Sequence, residues 1–288
     1  MMFKLDRPSN PTMDAILGLK HDALDHGFVR VIDYMGDEPA IVQAARVSYG
    51  RGTKAVSEDR GLIRYLMRHR HTTPFEMCEI KLHCKLPVFV ARQWIRHRTA
   101  NVNEVSARYS ILDREFYVPE PDHVQPQSAV NKQGRDGTFS ANDREILRTV
   151  IRDTANFSFE SYESMIDEDS YNLARELGRM VLPLNTYTQW YWKVDLHNLL
   201  HFLARRADPH AQFEIRVYAD IICGIVQKWC PAVYEAFEDY VMHACTFSRQ
   251  EMETLRAFIH AKGGVGAMAL PEGSKREIDE FARKLGAA

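Results

Sequence analysis

Apolar and polar residues alternate from Phe28 to Tyr34 (FVRVIDY) and again from Glu79 to Lys85 (EIKLHCK). A period of two puts every second side chain on one face, so both runs predict strands. Val105–Ser110 and Glu115–Val118 read as further extended segments. Elsewhere in this half the repeat is helical. Helices are predicted over 39–47, over 57–70 with Ser57 at the N-cap, and from Pro87 to about Arg98, where proline suits the first turn. Thr72-Thr73-Pro74 breaks the second of these.

The stretch His123–Asp143 is polar, carries Gly134 and Gly137, and reads as a surface loop. From Arg144 onward the pattern is helical almost throughout: 144–168, 171–182, 196–207, 211–229, 231–245 and 248–262. A linker over 263–273 precedes a last amphipathic helix over 274–285. This order argues an α+β fold: a mixed, largely antiparallel sheet in the N-terminal half, packed with a predominantly helical C-terminal half. The expected organisation is a lead over 1–27, one main domain over 28–245 and a helical extension over 246–288.

A chain of 288 residues that is 45% hydrophobic can build one sizeable core. A formal net charge of -2 gives no bulk electrostatic footprint for nucleic acid. The five cysteines are odd in number and none forms a C-x-x-C pair, which predicts reduced thiols in the cytoplasm. The first residues, MMFKLDRPSN, lack the apolar stretch of a secretory signal. No window reaches the roughly 18 apolar residues of a membrane span.

The stretch richest in chemistry is Gln93–Arg108, QWIRHRTANVNEVSAR. At 100° per residue, Gln93, Arg96 and His97 share one helix face, while Val88, Ala91, Trp94 and Ile95 share the other. In the extended part, Glu104, Ser106 and Arg108 fall on one side. Arginines so crowded repel one another unless anions compensate them, and Glu104 alone is too little. The alternatives are a solvated charged face and a site for bound phosphates held by planar guanidinium forks.

Arg96-His97-Arg98, seven residues and then Ser106, within Asn103-Glu104-x-Ser106-x-Arg108, resembles the signature of the flavin-dependent thymidylate synthase (ThyX) family. HRHTTPFE, RMVLPLNTYTQWYW and VDLHNLLHFLARRADPHAQFEI are similar to further family stretches, so the resemblance runs from about 28 to 240. It implies a ThyX-type fold and methylation of dUMP to dTMP. It also implies FAD as cofactor, NADPH and 5,10-methylenetetrahydrofolate as co-substrates, and a homotetramer with sites shared between subunits. Implied dUMP contacts are Gln93, Trp94, Ile95, Arg96, Glu104, Val105, Ser106, Ala107, Arg108, Arg179 and Arg206. Implied FAD contacts are His71, Thr73, Arg96, His97, Arg98, Glu104, Asp195, Leu196, His197 and His201. Asp195, His197 and His201 stand where some members carry Asn, Arg and Asn. Arg206 is the implied catalytic residue, a cation beside the uracil ring that stabilises its form deprotonated at nitrogen 3. A bland alternative for Arg206 is a cation at a helix C-terminus. His197 and Arg206, nine residues apart, point in opposite directions around an ideal helix, which suits sites assembled between subunits.

Two other readings compete. His197 and His201 have the i, i+4 spacing of zinc ligands in a metal-dependent hydrolase, with Asp208 and His210 nearby, but HNLLH lacks the glutamate of H-E-x-x-H. No metal is therefore expected. The arginines together with Tyr187, Trp190, Tyr191 and Trp192 suggest nucleic-acid binding, against which the near-neutral charge argues. Cys230 precedes Pro231 at a helix end and reads as a small buried hydrophobe, and Ser106 reads as a phosphate-binding hydroxyl, not a nucleophile.

Overall fold

The computed structural model describes residues 8–47, 56–130 and 132–286, so the first seven residues of the expected lead lie outside the described residues. The described chain starts with a single helical turn, α1 (Pro11–Asp14), then strands β1 (Lys20–Ala23) and β2 (Gly27–Met35). Helices α2 (Glu38–Val47) and α3 (Val56–Arg68) lead to β3 (Glu79–Pro87), α4 (Val88–Trp94) and β4 (Asn101–Glu104). A long α5 (Ala141–Ile166) and a short α6 (Arg175–Gly178) precede β5 (Tyr187–Asp195). The remainder is helical: α7 (Leu196–Arg206), α8 (Phe213–Trp229), α9 (Pro231–Phe237), α10 (Arg249–Ala261) and α11 (Lys275–Lys284).

The strands form one antiparallel sheet in the order β1-β2-β3-β5-β4. Its register aligns Val29 with Cys84, Cys84 with Trp190, and Leu82 with Trp192. All of these are buried, and with Trp94, Phe202, Tyr218 and Ile222 from the covering helices they make one core. The opposite face is more polar. There Arg30 donates to His83 Nδ1 at 2.5 Å, and the His83 ring stacks on Tyr191 with centroids 4.9 Å apart. An antiparallel sheet with one dry face and one wetter face yields the alternation seen in β2 and β3. The α+β class with a largely antiparallel sheet stands as expected. Cys230 is fully buried, and Cys78, Cys84 and Cys223 are buried thiols too. Among the described residues no helix is long and apolar enough to cross a membrane.

Several local expectations need correction. β5 is an interior strand of the sheet, between β3 and β4, and lies inside the half read as helical. Trp190, Trp192 and Val194 point into the core, while Gln189, Tyr191 and Lys193 point away. The stretch predicted as helix 171–182 is broken by Asn172 at φ 50° and keeps only α6 and one 3-10 turn. α4 ends at Trp94, short of Arg98, and α3 begins at Val56, so Ser57 falls inside its span. The extended segment is Asn101–Glu104, paired with β5, just before the stretch Val105–Ser110 expected to be extended. Residues 105–110 turn instead, the amides of Tyr109 and Ser110 both donating to the Ser106 carbonyl at 3.1 Å. The strand face expected to align Glu104, Ser106 and Arg108 is therefore absent.

Candidate active site

Trp94 sets the geometry. Its fully buried indole packs against Trp190, Trp192 and Phe202, with centroids 5.6, 5.2 and 4.6 Å away. That anchors the last turn of α4 to β5 and α7. It also means that any part Trp94 plays in a site comes from its backbone. Past this anchor Ile95 closes the helix and the His97 amide donates to the Trp94 carbonyl at 3.0 Å. The chain then fans out. Ile95, Arg96 and Arg98 are exposed, while His97 turns inward.

Arg92, Arg96, Arg98 and Arg206 line one cleft of about 790 Å³ with Gln93 and Gln212. The Gln93 amide donates to Gln212 Oε1 and closes one wall. His210 also lines the cleft, held by its amide donating to Asp208 at 2.7 Å. Among the described residues no Asp or Glu lines it. Four guanidinium groups without a lining carboxylate make a site that favours an anionic ligand, above all one with phosphate oxygens.

Arg206 reaches the cleft from the last turn of α7, a helix started by Asp195, whose side chain accepts from the Asn198 amide at 2.9 Å. Arg206 Nε donates to His97 Nε2 at 3.1 Å, and its Nη2 donates to the Gln93 carbonyl at 3.3 Å. Burial, then Arg206, His201 and Arg205, push the His97 pKa down to about 4. The imidazole is neutral at pH 7, with its proton on Nδ1 and the Nε2 lone pair facing Arg206. Burial and neighbouring Arg205 lower the Arg206 pKa, yet a guanidinium stays charged at neutral pH. Arg206 is thus fixed by two uncharged acceptors and keeps its whole positive charge for a ligand.

The other predicted residues lie elsewhere. Glu104, on the edge strand, accepts from Thr188 Oγ1 at 2.6 Å and does not offset the cleft arginines. The Val105 amide donates to the Gln189 carbonyl at 2.8 Å. Ser106 Oγ accepts from the Arg108 amide at 3.3 Å, and Ala107 is buried. Arg108 pairs with Glu176 at 3.1 Å and lines a second cleft, of about 380 Å³. Arg179 is exposed just after α6. His71 and Thr73 line a third cleft of about 690 Å³, walled by Leu62, Tyr65, Leu66 and Met77. Leu196 is fully buried, its amide donating to Cys78 O at 2.8 Å, so its side chain faces the core. His201 is exposed, its ring 5.8 Å from that of His97, and His197 is half-buried. Among the described residues no three His, Cys, Asp or Glu side chains converge as metal ligands around them. His201 and Arg206 both meet His97 from α7. Seven of the predicted residues thus fall in three clefts: Gln93, Arg96, Arg98 and Arg206 in the first, Arg108 in the second, and His71 and Thr73 in the third.

Five residues that line the cleft are not among the predicted ligand contacts: Arg92, Gln133, His210, Ala211 and Gln212. Arg92 lies four positions before Arg96, a spacing that could have flagged it. His210 and Gln212 come from the irregular link between α7 and α8, where no periodicity marks them.

A family model described as thymidylate synthase complementing protein matches residues 30–232. Over 282 residues the chain is 61% identical to a flavin-dependent thymidylate synthase of Ruegeria pomeroyi, covering 97% of this chain and 92% of that relative. The chain belongs to the flavin-dependent thymidylate synthase family. A second such synthase, from Gluconobacter oxydans, is 56% identical over 285 residues, covering 98% of this chain and 92% of the relative. Among solved structures, the UMP/dUMP methylase PolB from Streptomyces cacaoi bound with 5-Br dUMP matches with a TM-score of 0.69 and 30% identity. That match covers 77% of this chain and 99% of PolB. As a flavin-dependent thymidylate synthase the protein is a methyltransferase that works with a flavin. The residues fit such a cofactor in kind: guanidinium groups without a lining carboxylate for phosphates, and the mainly apolar third cleft for a ring system. The family model stops at 232, whereas the two relatives align over nearly the whole chain.

Proposed function

We propose that the enzyme converts dUMP to dTMP with 5,10-methylenetetrahydrofolate as one-carbon donor, NADPH as reductant and FAD as the flavin. Tetrahydrofolate and NADP⁺ leave as the other products. The observation that carries this reading is the arginine cleft, which no carboxylate lines and which Arg206 enters on neutral supports. The PolB structure bound with 5-Br dUMP supports a pyrimidine nucleotide as the ligand.

In this reading Arg96, Arg98 and Arg108 hold anionic oxygens, since a guanidinium fork matches phosphate geometry. Arg206 places a fixed cation beside the uracil ring and favours its form deprotonated at nitrogen 3. Each pKa unit of that preference is worth about 1.4 kcal/mol. Because His97 and the Gln93 carbonyl already hold Arg206, the charge needs no reorganisation during reaction. Gln93, braced by Gln212, keeps the cleft wall in place. When bound, the flavin supplies hydride chemistry, and the side chains supply orientation and charge.

Placement of Arg96 and Arg206, Arg108, and His71 and Thr73 in three separate clefts supports a homotetramer whose subunits complete one another's sites. Met180 and Leu184, 73% and 66% exposed beside Arg179, offer apolar surface for such a contact. Four buried, unpaired thiols support a cytoplasmic setting. Residues 28–245 form the proposed catalytic unit and 246–288 its helical extension. The test is chromatographic detection of dTMP formed from dUMP by the purified protein. Production that requires FAD, the folate and NADPH together supports the proposal. Production without the reductant, or none with all three present, overturns it.

A further inference from the structure

The C-terminal helix α11 lies beyond the family model and against α3, the helix that ends just before His71 and Thr73. Ser274 starts α11 with a capping box closed by Glu277. One carboxylate oxygen of Glu277 accepts from the Ser274 amide at 3.0 Å. The other accepts from Arg64 Nε at 2.7 Å, from Arg68 at 3.3 Å and from the Tyr240 hydroxyl. One turn on, Glu280 accepts from Arg68 Nε at 2.6 Å and meets His69 Nε2 at 3.2 Å. The Arg68 and Glu280 side chains are only 7% and 11% exposed. Hydrogen bonding from Arg68 holds the Glu280 carboxyl down at about 2. Burial raises the Glu277 pKa, but Tyr240, Arg64 and Ser274 outweigh it and hold it at about 2 as well.

This ion network grips the end of α3 at the point where the chain leaves for the third cleft. There Arg70 adopts φ 58°, with its amide donating to Met67 O at 3.1 Å and the His71 amide donating to Leu66 O at 2.9 Å. This is a Schellman ending made without glycine, a conformation that persists only where its surroundings over-determine it. A second contact runs parallel. The Arg276 guanidinium lies 4.1 Å over the Tyr65 ring, which is 4.4 Å from the His69 ring and 5.7 Å from the His71 ring. Tyr65 and Leu62 line both the α11 cleft and the third cleft, so one wall serves both.

We propose that α11 is a clamp in which Glu277, Glu280 and Arg276 act as positioning residues for the flavin-contact turn His71–Thr73. This rests on the proposed reading of His71 and Thr73 as FAD contacts. The clamp acts through Arg68, His69 and Tyr65 and touches none of the arginines of the nucleotide cleft.

The test uses the full chain with Glu280→Gln and Arg276→Gln together, neither of which is part of the Ser274 cap. FAD affinity is read by flavin fluorescence, and dUMP affinity by calorimetry. The expected result is FAD binding weakened on the order of tenfold, with dUMP binding unchanged within about twofold. Arg249→Gln, which breaks the α10 pair with Glu253, controls for loosening of the extension and is expected to change neither affinity. FAD binding as tight as in the unsubstituted chain overturns the clamp, whatever happens to the melting temperature. Equal weakening of both ligands also overturns it, because general destabilisation then explains the loss. Failure of the unsubstituted chain to bind FAD overturns the functional reading itself, and the clamp with it.

Discussion

The molecule carries two arginine clusters that solve the same electrostatic problem in opposite ways. At α3, Arg64 and Arg68 are met by Glu235, Asp239, Glu277 and Glu280, the closest contact being Arg68 to Glu280 at 2.6 Å. In the cleft at the end of α4, Arg92, Arg96, Arg98 and Arg206 meet no lining carboxylate among the described residues, and Arg206 leans on a neutral histidine. The sequence shows arginines crowded in both places. Only the partners separate a cluster that holds the protein together from one that waits for an anion.

The largest effect that can break this contrast is at Arg206. Arg206→Ala should lower kcat for dTMP formation about 10²- to 10³-fold, the usual loss for one preorganised charge-stabilising group, with little change in stability. A comparable loss of stability would recast Arg206 as structural. Next comes Arg68→Met, which leaves Glu280 without its main partner and should cost about 3 kcal/mol in urea unfolding. Arg96→Met should do the reverse. Stability should stay within about 0.5 kcal/mol, and dUMP affinity should fall about tenfold, measured by calorimetry.

Acid should separate the clusters along the pH axis. His97 titrates near 4 when folded and near 6.5 when unfolded, so its contribution is complete above 6.5 and is lost as pH falls from there towards 4. Glu277 and Glu280, at about 2 when folded against 4.5, keep their contribution down to 4.5 and lose it towards 2. Unfolding curves for the unsubstituted chain and His97→Gln should therefore converge between pH 6.5 and 4. Those for Glu280→Gln should converge only below 4.5. The smallest effect is that of salt. Raising ionic strength from about 0.1 to about 1 M shortens screening from about 10 to about 3 Å. Nucleotide binding should weaken severalfold while the melting temperature moves little, because the α11 network is largely shielded from solvent.

The sequence revealed most where one physical signal dominated. The period-two runs predict β2 and β3 within a residue or two, and the helices expected over 196–207 and 274–285 match α7 and α11 to within a residue at each end. β5 was missed although Thr188, Trp190, Trp192 and Val194 alternate with polar residues, because the half around it reads as helical. Helical periodicity continues through Arg98, whereas α4 stops at Trp94 with Ile95 as its C-cap. The site was legible as residue types at fixed spacing. Its partition was not, since pairing of Glu104 with Thr188 and of Arg108 with Glu176 depends on contacts that span distant parts of the chain. The role of His97 as a neutral support for Arg206 also has no local signature.

The most direct test of the central claim compares dUMP with deoxyuridine as ligands of the FAD-loaded enzyme, and of its Arg96→Met/Arg98→Met form, by titration calorimetry. If the cleft arginines are left for a phosphate, the nucleotide binds at least about 10²-fold more tightly than the nucleoside, and the double substitution removes most of that advantage. Equal affinity for the two ligands in the unsubstituted enzyme contradicts the account.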